Sequence, residues 1–446
     1  MTELLVRRGT VIAMDTERSV GLRDVLIGDG RIQWLGAVGR APRAKRGVMR
    51  EVIDAHGCVV VPGFVQAHVH LCQVLFRGLA DDLPLMRWLR ERIWPFEAAH
   101  DRKSLRASAE LGLCELLRAG TTTILDMGTV HHHEVVFEAM ARFGIRGVSG
   151  KAMMDVGEGV PRGLRESTRA SLAESDALRA AFEGKGDGRL SYAYAPRFVL
   201  SCTKKLLCEV GERVHGDGAR VHTHVAEHAN EREEVRHLLG ADDLAYFETC
   251  GIHGPRAVMA HGVQLSTREM RRAAKQGTRF VHCPSANLKL ASGIADVVRM
   301  RKAGLVVGLG ADGAPCNNRL DALGELRLAA LLAKHMQHDA AALSAMDALS
   351  LLTIDGARCL GLDSEVGSLE VGKRGDLTVV QIDGIGQAPA LDPVSALVYA
   401  STAADVRDVV VDGVVRVRGR ELLGVDEARV VASARREAVR VVAMIA

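Results

Sequence analysis

Eight short apolar runs, each followed by a stretch of helical periodicity, fill the middle of this chain, at 58–64, 121–125, 147–153, 190–195, 220–224, 257–260, 278–282 and 305–310. Strands alternating with helices are the sequence sign of βα units around a parallel sheet, and eight units close a (β/α)8 barrel. The intervening segments, such as 104–118 and 266–275, carry apolar residues at helical spacing with charges on the other face, as helices coating a barrel do. Two more helical stretches, 321–334 and 345–359, follow the eighth run.

The ends of the chain read differently. From residue 4 to 57 short β-rich runs are broken by turn residues, and Asp29-Gly30 between two apolar runs is a strong hairpin signal. The same grammar returns at Asp412-Gly413 between 409–411 and 414–417. The expected fold class is therefore α/β, a TIM barrel over 58–364 with a small β-sandwich built from residues 1–57 and 365–446, the last of these ending in a helix.

Composition narrows the function. The 446 residues are 48% apolar and 25% charged, enough to bury a large core. Lys and Arg number 58 against 55 acidic residues, a net of +3, which provides no basic field for nucleic acid and points to a small-molecule substrate. No apolar run approaches the roughly 18 residues of a membrane span, and the N-terminal stretch lacks the pattern of a secretory leader. Nine scattered cysteines without a CxxC pair read as free thiols in a reducing compartment, so the expected location is cytoplasmic. Barrels with flanking helices often pair, and a homo-oligomer is a further expectation.

The polar residues that end the apolar runs carry the chemistry. His68 and His70 stand one residue apart after the first run, and side chains at i and i+2 of a strand share a face, so both can converge on one ion. His224 ends the fifth run and Asp312 follows the eighth, at the barrel end where active sites gather. Three imidazoles and a carboxylate suit one divalent metal ion, zinc first, with iron, cobalt or manganese able to use the same ligands. Such an ion acidifies bound water to about neutrality. Glu227 lies three residues past His224 and fits general acid/base work, or else is a helix N-terminal charge. His261 is either a hydrogen-bond donor at the reacting centre or a satisfied core histidine. His131-His132-His133 precedes an amphipathic helix and reads as a solvated loop outside the site, and His215, His237 and His253 have no supporting pattern. The segment 83–97 holds two of three tryptophans, Trp88 among them, and forms either an aromatic wall for a planar heterocycle or ordinary helix packing.

Several motifs resemble the amidohydrolase superfamily, in its branch of mononuclear deaminases and chlorohydrolases. They are Pro62-Gly63-Phe64-Val65-Gln66-Ala67-His68-Val69-His70, His222-Thr223-His224-Val225-Ala226-Glu227, His282-Cys283-Pro284-Ser285-Ala286-Asn287-Leu288-Lys289-Leu290 and Gly310-Ala311-Asp312-Gly313-Ala314-Pro315, with a further likeness over 367–377. The resemblance covers nearly the whole chain. It implies that His68, His70, His224 and Asp312 hold the metal, that Glu227 shuttles protons, that His261 orients the attacked centre, and that Asp312 takes a proton from the attacking water. Glu97, after an Ile-Trp-Pro run, is implied to bind ribose hydroxyls as in adenosine-type deaminases.

Two places depart from that pattern. Arg197-Phe198 resembles the pair that guanine deaminases use on the purine, and Gly150-Lys151-Ala152-Met153-Met154-Asp155 is similar to a guanine-deaminase stretch. Arg197 can meet a purine carbonyl or a ligand carboxylate by paired donors, or simply pair with a loop acid. The expected activity is hydrolytic deamination of an aminopurine, first a 5′-modified adenosine such as 5′-deoxyadenosine, methylthioadenosine or S-adenosylhomocysteine. Guanine or 8-oxoguanine comes second, an amino- or chlorotriazine third. A barrel that only binds is the alternative from another class.

Overall fold

The computed structural model describes residues 2–44 and 46–445. Its central sheet consists of β1 (Phe64–His70), β2 (Thr121–Met127), β3 (Arg146–Gly150), β4 (Leu190–Pro196), β5 (Arg220–Val225), β6 (Ala257–His261), β7 (Arg279–His282) and β8 (Val307–Leu309). Neighbours pair in chain order, β8 returns to β1, and β4 joins β5, so the sheet closes. The expected (β/α)8 barrel is thus borne out. Every residue of β1, β2 and β6 is buried, as parallel strands covered on both faces require. Sequence punctuation sets the helix ends. Before the helix Thr267–Gln276, Ser266 and Glu269 cap each other's backbone N–H groups, and Gly277 ends it with φ of 81°.

Two expected strands are corrected. The run 58–64 is two elements, because the chain breaks at Pro62-Gly63: Cys58–Pro62 pairs antiparallel with Leu377–Gln381 and parallel with Thr2–Ile12, while the barrel strand begins at Phe64. A side chain at Gly63 would place its Cβ 2.1 Å from Thr122 Oγ1, so only glycine passes this point. The two histidines therefore sit at the carboxyl end of β1 itself. The third run shortens likewise, with Ala152–Met153 pairing separately against the end of β4.

Both chain ends build one continuous nine-stranded sheet. The N-terminal part gives Thr2–Ile12, Val20–Gly28, Arg31–Ala37, Met49–Asp54 and Cys58–Pro62. The C-terminal part gives Leu377–Gln381, Val406–Val411, Val414–Arg418 and Glu421–Leu422. These strands share a core that includes Val6, Val25, Val60, Val379 and Val410. Both Asp-Gly turns carry positive φ at each residue, 50° and 74° at Asp29-Gly30 and 54° and 76° at Asp412-Gly413, the geometry that tight hairpins need.

By backbone proximity the chain forms two compact units. One comprises Met1–Gln66, Cys114–Thr123 and Asp321–Val425; the other comprises Ala67–Leu113, Ile124–Leu320 and Asp426–Ala446. In the second unit the terminal helix Glu427–Val442 packs Ala434 and Val441 against Leu75, Phe76 and Phe96, and Arg440 Nη2 meets Asp101 Oδ1 at 2.8 Å. Among the described residues none of the nine cysteines forms a disulfide, and no helix is long and apolar enough to cross a membrane.

Gly310, just past β8, lies against β1. A Cβ there would stand 2.5 Å from His68 O and 2.8 Å from His68 N, both backbone atoms that cannot swing aside. Gly310→Ala is expected to destabilise the protein by roughly 1–3 kcal/mol, the usual cost of overpacking. Chemical denaturation of the variant beside the parent measures it.

Candidate active site

β1 and β5 present His68, His70 and His224 at their carboxyl ends, and the segment after β8 brings in the carboxylate. Asp312-Gly313 pairs in parallel with β1, Asp312 opposite Val69 and Gly313 opposite His70. Asp312 Oδ1 then lies 3.3 Å from His68 Nε2 and 3.3 Å from His70 Nε2. One ligand-type atom from each of His68, His70, His224 and Asp312 lies within 4.8 Å of every other. The structure thus brings together all four residues expected from the sequence.

Main-chain carbonyls fix which ring nitrogens carry hydrogen. His70 Nδ1 is 2.8 Å from Met127 O, and His224 Nδ1 is 2.6 Å from Arg197 O. A carbonyl only accepts, so both Nδ1 atoms are protonated and both Nε2 atoms expose lone pairs. His68 reaches the same state by relay: His222 Nδ1 donates to Val258 O at 3.0 Å, leaving His222 Nε2 to accept from His68 Nδ1 at 2.7 Å. Three lone pairs and one carboxylate face inward. His70 Nε2 and His224 Nε2 stand 3.2 Å apart with no hydrogen to share, and His68 Nε2 is buried without a hydrogen-bond partner among the described residues. Such mutual repulsion in a buried space is relieved by a cation, and the donor set fits a borderline divalent metal.

Burial holds the three imidazoles neutral, lowering His70 below its ordinary pKa and His68 and His224 well below it. Burial alone would raise Asp312, but the imidazoles of His68, His261 and His70 around it outweigh that and hold it well below the usual carboxylate range. Glu227 behaves oppositely. Burial, then the charges of Asp312 and Glu231, push it well above the usual range, and its Oε1 is buried without a hydrogen-bond partner among the described residues. It is a carboxyl group poised to carry a proton.

His261 differs from the other three. Asn287 Nδ2 donates to His261 Nδ1 at 2.9 Å, so the neutral ring carries its hydrogen on Nε2. That atom lies 3.5 Å from Glu227 Oε2 and 3.9 Å from Asp312 Oδ2. Burial lowers His261 to about 4, so it enters neutral pH as a neutral donor. Ala226, His261 and Asp312 all have positive φ, of 50°, 75° and 62°. Backbone strain of this kind collects at functional sites.

Trp88, Arg197 and Phe198 line the pocket above this cluster, together with Leu85, Leu89 and Leu290. Glu97 stands behind them. Its carboxylate takes Arg197 Nη1 at 2.5 Å and Nη2 at 3.1 Å, and Gln73 Nε2 at 2.8 Å, all buried. Sequence reasoning missed Gln73, His222, Asn287 and Glu231. The i+2 spacing of His222 and His224 was the signal available for His222.

The reading of His131-His132-His133 as a solvated loop outside the site needs correction at its last member. His133 is fully buried, with Nε2 2.8 Å from Ser149 Oγ, which in turn donates to Asp126 Oδ2 at 2.6 Å. A polar partner at the end of β3 draws the ring inward, and burial lowers it to about 3.

A closed parallel barrel with this cluster at the carboxyl ends of its strands has the build of a barrel enzyme. The chain belongs to the amidohydrolase family, whose model matches residues 59–416, and the resemblance read from the motifs is borne out. A protein of Halobacterium salinarum named 5-methylthioadenosine/S-adenosylhomocysteine deaminase is 39% identical over 431 residues, covering 96% of this chain and 95% of that one. A 5′-deoxyadenosine deaminase of Methanothermobacter thermautotrophicus is 38% identical over 376 residues, 84% of this chain and 86% of its own. The crystal structure of a Xanthomonas campestris adenosine deaminase with bound zinc superposes with a TM-score of 0.92 at 31% identity, covering 99% of this chain and 98% of that one.

Two outcomes follow from the buried imidazoles. His222→Ala removes the acceptor that orients His68, and loss of such an outer partner typically weakens metal affinity about 10- to 100-fold; competition with a chelator reads this directly. In the metal-free protein, His133, His222 and His282 are each lowered to about 3 by burial. The unfolded chain takes up protons on these residues below about pH 6.5, whereas the folded chain does not until about 3. Folding stability should therefore fall progressively as pH drops through that window. Urea denaturation at several pH values checks the direction.

Proposed function

We propose that this protein is a metal-dependent hydrolytic deaminase of 5′-modified adenosines, converting the adenine ring to its hypoxanthine analogue with release of ammonia. The observation that carries this reading is the placement of the buried Glu227 carboxyl 3.5 Å from His261 Nε2, beside the cluster of three imidazoles and a carboxylate. The names of the relatives from Halobacterium and Methanothermobacter support the substrate class.

His68, His70, His224 and Asp312 would hold one divalent ion, zinc first, which when bound supplies a water acidified to near neutrality. The chain's own groups do the rest. Asp312, a carboxylate at any working pH, accepts a proton from the attacking water. Glu227 gives its proton to the ring nitrogen next to the amino-bearing carbon, which makes that carbon electrophilic. His261 Nε2–H donates to the oxygen arriving there and holds it as charge develops. Asp312 passes the proton it accepted to the amino group, which departs as ammonia, and the remaining proton of the added water returns to Glu227. Trp88 and Phe198 offer apolar faces to a flat heterocycle, and Glu97 with Arg197 forms the polar unit for the ribose hydroxyls. Nine cysteines with no disulfide among the described residues support a reducing, cytoplasmic setting.

The experiment is ammonia release from 5′-deoxyadenosine, methylthioadenosine, S-adenosylhomocysteine, adenosine, guanine, 8-oxoguanine and an aminotriazine, with metal assayed on the same sample. Turnover of the adenosine group is expected; turnover confined to guanines replaces the substrate assignment. Glu227→Gln should keep its metal and lose kcat about 10²- to 10⁴-fold, the usual worth of a general acid. A barrel that only binds would lose little.

A further inference from the structure

Glu227 reaches the pocket from a turn with an unusual set of anchors. β5 ends at Val225, Ala226 adopts a left-handed φ of 50°, and the helix Ala229–Leu239 begins three residues later. On one side this turn is laced to the loop that follows His261: Gly262 N donates to Val225 O at 3.0 Å, and Gln264 N donates to Ala226 O at 2.9 Å. On the other side two buried carboxylates collect three successive backbone N–H groups. Asp243 Oδ2 accepts from Ala226 N at 2.5 Å, and Glu231 Oε2 accepts from Glu227 N and His228 N, each at 3.3 Å.

Accepting from His228 N is the reciprocal half of an ordinary helix cap, because His228 Nδ1 accepts from Asn230 N at 3.1 Å. Accepting from Glu227 N is not required for capping. It fixes the residue whose side chain must stand 3.5 Å from His261 Nε2. Glu231 also lines the pocket while its side chain stays buried, so it occupies wall space next to the reacting groups rather than an outer surface.

We propose that Glu231 is a positioning residue for Glu227, an acceptor that holds the strained turn 226–228 so that the acid stays aligned with His261. The role needs an oxygen at this reach and no substrate contact. A glutamine keeps that oxygen, an aspartate is one methylene short, and an alanine has none.

The test compares kcat, KM and metal content for Glu231→Gln, Glu231→Asp and Glu231→Ala, with thermal unfolding on each. For the alanine and aspartate variants kcat should fall about 10- to 100-fold, the scale of a small misplacement of a reacting group, with KM and metal content little changed. The glutamine variant should stay within a few-fold of the parent. Wild-type kcat in Glu231→Ala overturns the proposal. So does a glutamine variant as impaired as the alanine one, which would assign the role to the negative charge. A rise in KM at constant kcat would assign it to substrate contact and overturns it too. If the alanine variant does not fold, the contrast between glutamine and aspartate decides.

The inference rests on the deaminase reading, and the two fail separately. A parent protein that releases no ammonia from any compound sinks the reading. The placement is then judged by crystal structures of the parent and Glu231→Ala: the turn 226–228 and the Glu227 side chain should shift, and an unmoved turn overturns the inference alone.

Discussion

The hydrogen bond from an imidazole Nδ1 to a main-chain carbonyl is the contact on which the rest of the site depends. Met127 at the end of β2, Arg197 just past β4 and Val258 in β6 supply those carbonyls, the last through His222. Carbonyls have no choice of role, so the barrel backbone itself dictates the tautomer of His68, His70 and His224. Strand pairing is thereby coupled to the chemistry. Each ring is aimed by a strand other than its own, and a barrel that failed to close would leave the rings free to turn their hydrogens inward.

The same enclosure separates the two carboxyl groups. Asp312 and Glu227 are both buried, yet one is driven down and the other up. The difference lies in neighbours. Asp312 faces imidazoles, whereas Glu227 faces Asp312 and Glu231. Pairs of titratable groups pushed apart in this way mark acid and base assignments. The left-handed φ at Ala226, His261 and Asp312 is the backbone side of this arrangement. These conformations cost free energy, and they persist because the backbone around them is fixed by pairing to β1 and by the ties between the loops after β5 and β6.

Much of this was legible in the sequence, and the exceptions have physical causes. The i+2 rule placed His68 and His70 together, and apolar runs ending in polar residues placed His224, His261 and Asp312 at the same mouth. The Asp-Gly turns named their hairpins outright. The run 58–64 was misread because a buried sheet strand and a buried barrel strand look alike as apolar stretches; the break at Gly63 depends on Thr122, far along the chain. The place of His131-His132-His133 just before an amphipathic helix points to solvent, whereas the partner that buries His133, Ser149, lies on β3. His222 carried a signal, but the same spacing that made it visible gave no way to tell a ligand from the residue that orients one.

Glu97 and Arg197 show how a tertiary contact changes the meaning of a motif. As separate residues, one suggested a ribose clamp and the other a grip on a purine carbonyl. In the structure they form one buried pair joined by two hydrogen bonds, of 2.5 and 3.1 Å. Breaking a buried pair by withdrawing one partner is strongly destabilising, because an uncompensated charge is left behind. A substrate carbonyl that needs both guanidinium nitrogens must compete with Glu97 for them. A hydroxyl does not, because it both donates and accepts and can join the pair at its edge without separating it. Under the proposed function this favours a ligand that brings vicinal hydroxyls to the pair over one that brings a bare ring carbonyl, which is the physical ground for placing nucleosides ahead of free guanine.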